Sequence, residues 1–479
     1  MAEKLFIGGK WVKSTSGKTF ASKNPATGGS IGTFQAGNAK DVDLAAKAAR
    51  KAYKKYRLMP APDRGEILFE TARILKKNKK RLGRLVTDEM GKQISEGLGD
   101  VQEAIDVFEY MAAEGRRFFG HTTPSELPNK FAMTLRVPVG VCGLITPWNF
   151  PIAIPAWKLA PCLVAGNTAV FKPASDTPKC AMELVKILSE AGVPPGVVNL
   201  VTGSGREVGA PIVKHNGIDA ISFTGSREVG EFVTQNAGLK KVGIELGGKN
   251  PIIVMDDADL DLAVDGIVWA AFGTTGQRCT AASRAIVHKS VEKPLLAKLL
   301  KATGNLTIGY GMRADVGPLV NAAAVEKTKD YVAIGKKEGK LFCGGNHLEG
   351  NFFEPTIFTK VKPNARIAQE EIFGPVTSVI TVSSLKEAIT VANNIGYGLS
   401  SSIYTRDVNS AFTAMRDLEA GITYINAPTI GAEVHLPFGG TKATGNGTRE
   451  AGIEGINEFS ETKTVYVDYS GGLQRAQID

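Results

Sequence analysis

Short apolar runs and amphipathic stretches alternate from Val139 to about Asn426, and no other feature constrains the fold as tightly. The runs at 139–145, 168–172, 197–201, 219–223 and 241–246 have strand length, and the stretches between them, at 151–165, 179–191, 206–214 and 226–236, read as helices. A strand followed by a crossover helix at intervals of roughly 20–30 residues is the sequence form of a parallel, doubly wound sheet. A second series, with strand candidates at 252–255, 284–288, 376–382, 399–404 and 421–425, repeats the pattern. The expected fold class is α/β, with two doubly wound α/β domains that meet near Gly247-Gly248.

The rest of the chain frames these domains. Residues 1–35 read as short strands with turns at Gly8-Gly9, Ser16-Gly17 and Gly28-Gly29, and a helical pattern runs with interruptions from Asp41 to about Phe119. The segment His121 to Val137 is polar, then extended. The tail Glu461 to Tyr469 alternates like a strand but has no obvious partner in either domain.

The net charge of +9, from 57 basic and 48 acidic residues, mildly favours anionic ligands. Only Lys76 to Arg84 is densely basic, and it reads as the wet face of a helix, so nucleic acid is not an expected partner. Five cysteines (142, 162, 180, 279 and 343) form no pairing framework, which points to a reduced, cytoplasmic setting. No run reaches about 18 apolar residues, so no membrane span is expected. The five histidines are scattered, and no metal site is expected.

Two segments carry most of the chemistry. Glu245-Leu246-Gly247-Gly248-Lys249 offers a carboxylate in backbone that permits close approach, and Gly276-Gln277-Arg278-Cys279-Thr280 offers a thiol. A helical pattern from Leu260 to Phe272, then Gly273 and a polar turn, predicts that Cys279 opens a new helical turn whose dipole favours the thiolate. Gly225-Ser226-Arg227-Glu228-Val229-Gly230 follows a strand and opens a helix, where its amides could face a phosphate or form an ordinary turn. Asn149, in Thr146-Pro147-Trp148-Asn149-Phe150-Pro151, ends a strand and could cap the next helix. Lys172, in Phe171-Lys172-Pro173-Ala174-Ser175, could be a solvated strand end.

Three patterns are decoys. Gly28-Gly29-Ser30-Ile31-Gly32 lacks the strand and helix of a hydrolase elbow. Gly243 to Asn250 nearly matches a phosphate-binding loop but puts Asn250 where Ser or Thr should ligate magnesium. Gly203 to Gly209 is one residue too long for the usual dinucleotide fingerprint.

Taken together, and with Glu370-Glu371-Ile372-Phe373-Gly374-Pro375 and Pro437-Phe438-Gly439-Gly440, these motifs resemble the signatures of the aldehyde dehydrogenase superfamily over nearly the whole chain. The resemblance implies a Rossmann-like cofactor domain (1–120 and 139–247), a catalytic domain (248–442) and a small β oligomerisation element (121–138 and 443–479). It makes Cys279 the nucleophile, Glu245 the base and Asn149 the oxyanion donor. For NAD or NADP it points to Thr146, Pro147, Trp148, Lys172, Ser175, Gly205, Gly209, Phe223, Gly225, Ser226, Val229, Leu246, Glu371 and Phe373. Many NAD-preferring members carry glutamate at the position of Ser175, so NADP should be tolerated here.

The implied reaction is oxidation of an aldehyde, such as 2-oxoglutarate or succinate semialdehyde, to the acid by a homodimer or homotetramer. Arg278 could hold the far carboxylate of such a substrate, or could pair with an acidic neighbour. A coenzyme-A-acylating enzyme should lack Glu245, and a non-catalytic relative should lose Cys279 or Glu245. A serine hydrolase rests on Ser30 alone.

Overall fold

The computed structural model describes residues 2–311 and 314–478. Its first sheet has seven strands in the order Lys241–Glu245, Ala220–Thr224, Val141–Ile145, Thr168–Lys172, Val198–Leu200, Leu5–Ile7, Lys10–Val12. The five strands from 141 to 245 are mutually parallel, and the two N-terminal strands add antiparallel to one edge. Val141–Ile145 is followed in the sheet by later strands on both sides, so the chain's direction of winding reverses beside it. In an open α/β sheet the ligand crevice lies outside the carboxyl ends of the strands at such a reversal.

The second sheet also has seven strands, ordered Lys340–Cys343, Thr356–Thr359, Val376–Val382, Ala282–His288, Asn250–Val254, Ser400–Tyr404, Ile422–Ile425. All pairs are parallel except the first. Two of these strands, at 340–343 and 356–359, were not expected from the sequence. Each has four residues and lies among Gly339, Gly344, Gly345 and Pro355, which read as turn signals.

In chain order the hairpin Thr19–Lys23/Ser30–Gln35 is followed by three helices, Ala39–Tyr56, Ala61–Met90 and Ile94–Glu114. The first begins where Asn38 accepts from the amides of Lys40 and Asp41 while Asp41 accepts from the Asn38 amide, a reciprocal cap. The stretch expected as a helix at 206–214 starts as a single wide turn, Gly205–Gly209, before Ala210–Lys214 becomes α-helical.

The tail does have a partner. Ser460–Asp468 pairs antiparallel with Lys130–Pro138 over nine residues, and Thr122–Pro124 completes a third sheet. No helix among the described residues is long and apolar enough to cross a membrane.

Candidate active site

Three segments at the carboxyl ends of first-sheet strands converge with a fourth that precedes a second-sheet strand. Thr146–Phe150 follows Val141–Ile145, Gly225-Ser226 follows Ala220–Thr224, and Leu246-Gly247 follows Lys241–Glu245. Cys279 comes from the second sheet's side, just before strand Ala282–His288. Together with Lys327, Glu371 and Phe373 these segments wall a cavity of about 230 Å³ that includes Trp148, Asn149, Thr224 and Cys279.

Cys279 does not open a helix. Helix Leu260–Phe272 gives way to a 3-10 turn, Gly273–Gly276, and Cys279 sits in the turn that enters the following strand. Thr274 and Thr275 both have left-handed backbones, with φ of 50° and 58°, a conformation costly for β-branched residues. The surroundings over-determine that shape. Glu96 Oε1 accepts from the Thr274 amide (2.7 Å) and hydroxyl (2.9 Å), Thr275 Oγ1 donates to the Gly317 carbonyl, and Gln277 Oε1 accepts from the Val320 amide. Downstream, the Cys279 carbonyl accepts from Asn250 Nδ2 at 2.8 Å. Burial, with Glu371 and Glu245 nearby, pushes the thiol up to about 12, opposite to the direction a helix N-terminus would give.

Asn149 is buried, and its Nδ2 donates to the Gln277 carbonyl at 3.1 Å while Oδ1 has no partner. It is not a helix cap. Helix Ala153–Val164 has no side-chain cap from within its own segment; the amides of Ile152 and Ala153 donate instead to Asp100 Oδ1, at 3.2 and 2.7 Å. Asp100 in turn pairs with Lys92 at 3.1 Å, with both side chains fully buried, and Lys92 Nζ lies 3.6 Å from the Phe150 ring centroid.

Glu245 is 2% exposed and neither carboxyl oxygen has a hydrogen-bond partner. Burial raises its pKa well above the ordinary carboxylate range, and Glu450 and Glu458 push the same way while Lys158 and Arg449 oppose them. A Cβ on Gly439 would collide with Glu245 Oε1, so glycine there makes room for the carboxyl group.

A profile described as the aldehyde dehydrogenase family matches residues 11–465. The chain belongs to that family. It is similar to the alpha-ketoglutarate semialdehyde dehydrogenase of Haloferax volcanii, 44% identical over 97% of this chain and 99% of that one. It is also similar to the alpha-ketoglutaric semialdehyde dehydrogenase of Bacillus subtilis, 41% identical over 96% and 97% of the two chains. Among solved structures, an NADP-dependent enzyme of E. coli superposes with a TM-score of 0.95 at 37% identity, covering 98% of each chain. Betaine aldehyde dehydrogenase of Staphylococcus aureus in complex with NAD+ superposes at 0.96 and 33% identity, covering 99% of this chain and 96% of that one.

Of the residues that the aldehyde dehydrogenase resemblance assigns to the cofactor, Pro147, Trp148, Gly225, Ser226, Leu246, Glu371 and Phe373 line the Cys279 cavity and Ser175 lines a second one, and several of their contacts are specific. Glu371 Oε1 accepts from the Gly248 amide at 2.9 Å, and a Cβ on Gly247 would collide with its carboxyl group. Phe373, at φ 59°, meets Trp148 edge-on with ring centroids 5.5 Å apart. Pro147 and Leu246 line the same cavity, and Thr146, with an unpartnered hydroxyl, lies just behind it. Phe223 packs its ring under Gly225. Ser226 caps helix Arg227–Asn236 through the Val229 amide, and the Val229 side chain is exposed beside it. The Lys172 stem runs past Gly209, its Nζ donates to the Pro173 carbonyl, and burial lowers its pKa to about 8. Ser175 Oγ donates to the Gly203 carbonyl and lines a second cavity with Ser204 and Glu207, next to Gly205.

Arg278 is tied inward. Its Nη2 pairs with Glu96 at 2.7 Å, its Nε donates to Thr274 Oγ1 at 2.9 Å, and the guanidinium stacks over Trp269 and Phe150. Of the two sequence readings of this arginine, the acidic neighbour is the one the geometry shows, though the side chain is only 12% exposed rather than turned to solvent.

Sequence reasoning missed Glu96, Asp100, Lys327, Glu450 and Glu458. It also missed Lys158, for which a signal existed: it is the only charged residue in the otherwise apolar helix Ala153–Val164. Among the described residues, no cluster of His, Cys, Asp or Glu is arranged to hold a metal ion. Ser30 is exposed at the start of a hairpin strand, and Gly243–Asn250 runs from one strand into another without a helix.

Proposed function

We propose that this aldehyde dehydrogenase oxidises a semialdehyde, of the 2-oxoglutarate or succinate semialdehyde type, to the carboxylic acid with NAD or NADP. The observation that carries the reading is the convergence of Cys279 and Asn149 on one cavity whose lining includes Leu246, next in the chain to the buried Glu245, whose charge acts on the Cys279 thiol. The semialdehyde class rests on the relatives of Haloferax volcanii and Bacillus subtilis.

The Cys279 sulfur attacks the aldehyde carbon as its proton leaves for solvent. The new C–S bond puts negative charge on the substrate oxygen, which the Asn149 amide and the Cys279 backbone N–H hold. Asn149 has a second N–H besides the one given to Gln277. Bound NAD or NADP supplies the acceptor for the hydride that leaves the substrate carbon. Glu245 then removes a proton from water, which attacks the thioester; the C–S bond breaks, and carboxylate and thiol are released. Burial raises the pKa of Glu245 well above the ordinary carboxylate range, which makes it a stronger base than an exposed carboxylate.

The cradle fits a dinucleotide. The orphaned Thr146 hydroxyl, the Glu371 carboxyl seated against Gly247 and the capped start of helix Arg227–Asn236 offer donors and acceptors around one crevice. In this reading Lys172 and Ser175 hold the adenosine end and Glu371 the nicotinamide ribose, with Lys327 beside it. Ser175 places no negative charge beside a 2′-phosphate, so both dinucleotides are accepted.

The third sheet serves as the oligomerisation element of a homodimer or homotetramer. Phe131, Leu135, Tyr466 and Val467 on its strands are exposed in the single chain. The five free cysteines suit a reduced, cytoplasmic setting.

The test is formation of reduced nicotinamide with aliphatic, aromatic and ω-carboxylated aldehydes, using both dinucleotides, with and without coenzyme A. Turnover that requires coenzyme A would replace this reading with the acylating one.

A further inference from the structure

Ser175 lines a cavity of about 600 Å³, and part of its wall comes from outside the first sheet. That part is the N-terminal hairpin with its flanking loops. Ser16 and Lys18 stand before strand Thr19–Lys23, and Gly37 and Asn38 follow strand Ser30–Gln35.

The two sides of the cavity meet at Gly37. Its amide donates to the Thr202 carbonyl at 2.7 Å, and a Cβ there would stand 2.7 Å from Val201 Cγ1 and 2.9 Å from that carbonyl oxygen. Glycine permits the approach. On the first sheet's side, Ser175 Oγ donates to the Gly203 carbonyl and Ser204 Oγ accepts from the Glu207 amide at 3.1 Å.

On the hairpin side the Lys18 backbone is held twice. Its amide donates to Ser16 Oγ at 3.0 Å, and its carbonyl accepts from the Ala36 amide at 2.9 Å. The place of Lys18 on the wall is therefore fixed, while its side chain is exposed. Among the described residues, none pairs with its ammonium.

Charge on the lining is sparse. Among the described residues that line the cavity, Lys18 is the only cation and Glu207 the only anion. The Glu207 carboxylate is 64% exposed and lies 4.0 Å from Arg206 Nε, a contact too wet to neutralise it. Lys172, the other lysine at this end, is buried, and its Nζ donates to the Pro173 carbonyl.

Ser175 removes repulsion from a 2′-phosphate but brings no countercharge. A phosphate monoester carries about −1.5 to −2 charges at neutral pH. We infer that Lys18 provides the countercharge: its ammonium pairs with the 2′-phosphate of NADP, and Glu207, on the same cavity, weakens that pairing. The inference rests on the reading of Ser175 as a neighbour of the adenosine ribose. A compact ammonium on a flexible four-carbon stem suits recognition of a phosphate as a point charge. Preference between the two dinucleotides is then set partly by the N-terminal hairpin, which adds no strand to the first sheet.

Calorimetric titration of the full chain with 2′,5′-ADP and with 5′-AMP tests this without turnover. Lys18→Ala should weaken 2′,5′-ADP about three- to tenfold, the scale of one exposed ion pair to a doubly charged group, and change 5′-AMP less than about twofold. Lys18→Arg should restore the parental value. Glu207→Gln should tighten 2′,5′-ADP about two- to fivefold by removing a like charge. In the parent, the affinity for 2′,5′-ADP relative to 5′-AMP should fall between about 0.05 and 0.5 M salt, because exposed pairs are screened, and Lys18→Ala should flatten that dependence. Melting temperatures should stay parental, since both side chains are exposed.

Parental affinity for 2′,5′-ADP in Lys18→Ala would overturn the assignment, whatever Glu207→Gln does. So would equal weakening of both ligands, which would put Lys18 elsewhere on the adenosine. Ser175→Glu run in parallel separates the two ideas. If it weakens 2′,5′-ADP while Lys18→Ala does not, only the role of Lys18 fails; if neither variant changes either ligand, the placing of Ser175 beside the ribose fails with it.

Discussion

Asn149 Nδ2 donates to the backbone oxygen of Gln277, two residues before Cys279 and 128 residues away in the chain. The proposed oxyanion donor is thus hydrogen-bonded to the loop that carries the proposed nucleophile. Asn149→Ala should lower the rate of the first-turnover burst by about 10²–10³-fold, the usual cost of one lost oxyanion donor. Its melting temperature should change little, because a single hydrogen bond is worth about 1 kcal/mol. A burst at the parental rate would remove Asn149 from the reaction.

The Cys279 thiol is held near 12 by burial and by Glu371 and Glu245, so in the free enzyme it is protonated at neutral pH. Thiolate is the reactive form. Alkylation by iodoacetamide should therefore be slow at neutral pH and rise about tenfold per pH unit until the protein unfolds. Followed at the peptide that carries residue 279, because half-buried Cys343 also reacts, it should be absent in Cys279→Ala, which should also lose dehydrogenase turnover while still binding dinucleotide. A rate already level with pH near neutrality would show that the thiolate is stabilised in the free enzyme.

Arg278 and Glu96 form a pair with side chains only 12% and 4% exposed, and Glu96 also holds the left-handed Thr274. Removing one partner of a buried pair leaves the other uncompensated, at a cost of about 3–5 kcal/mol. Arg278→Gln should lower the melting temperature and reduce turnover for charged and uncharged aldehydes alike. A selective rise in KM for ω-carboxylated aldehydes, with unchanged stability, would restore the substrate-binding reading.

Much of this layout was legible in the sequence. The strand at 376–382 falls where the apolar run does, and the five parallel strands of the first sheet lie within two residues of theirs. Those strands are continuous apolar runs bounded by turns, and their carboxyl ends are where the chemistry-bearing motifs stand. The helix expected at Cys279 failed because Thr274 and Thr275 adopt left-handed backbones that only contacts with Glu96 and Gly317 explain. Glu96 is 178 residues from Thr274, and Glu450 is 292 from Lys158. Local patterning carries no record of such distant partners.

Ser175 Oγ donates to the Gly203 carbonyl at the adenosine end of the proposed crevice. Ser175→Glu would set a carboxylate beside a 2′-phosphate and should shift preference toward NAD by about tenfold or more, since like charges brought together in an interface cost several kcal/mol. The ratio of dissociation constants for 2′,5′-ADP and 5′-AMP, measured calorimetrically, should move in the same direction. An unchanged ratio would place the 2′ position elsewhere.

The division of labour between Cys279 and Glu245 is tested most directly by rapid mixing of Glu245→Gln with dinucleotide and a semialdehyde, followed by mass spectrometry of the quenched protein. The account predicts about one reduced nicotinamide per active site, then a steady state slowed at least a hundredfold, within the range of general-base contributions, with the acyl group found on Cys279. Parental turnover with no burst and no adduct would contradict it.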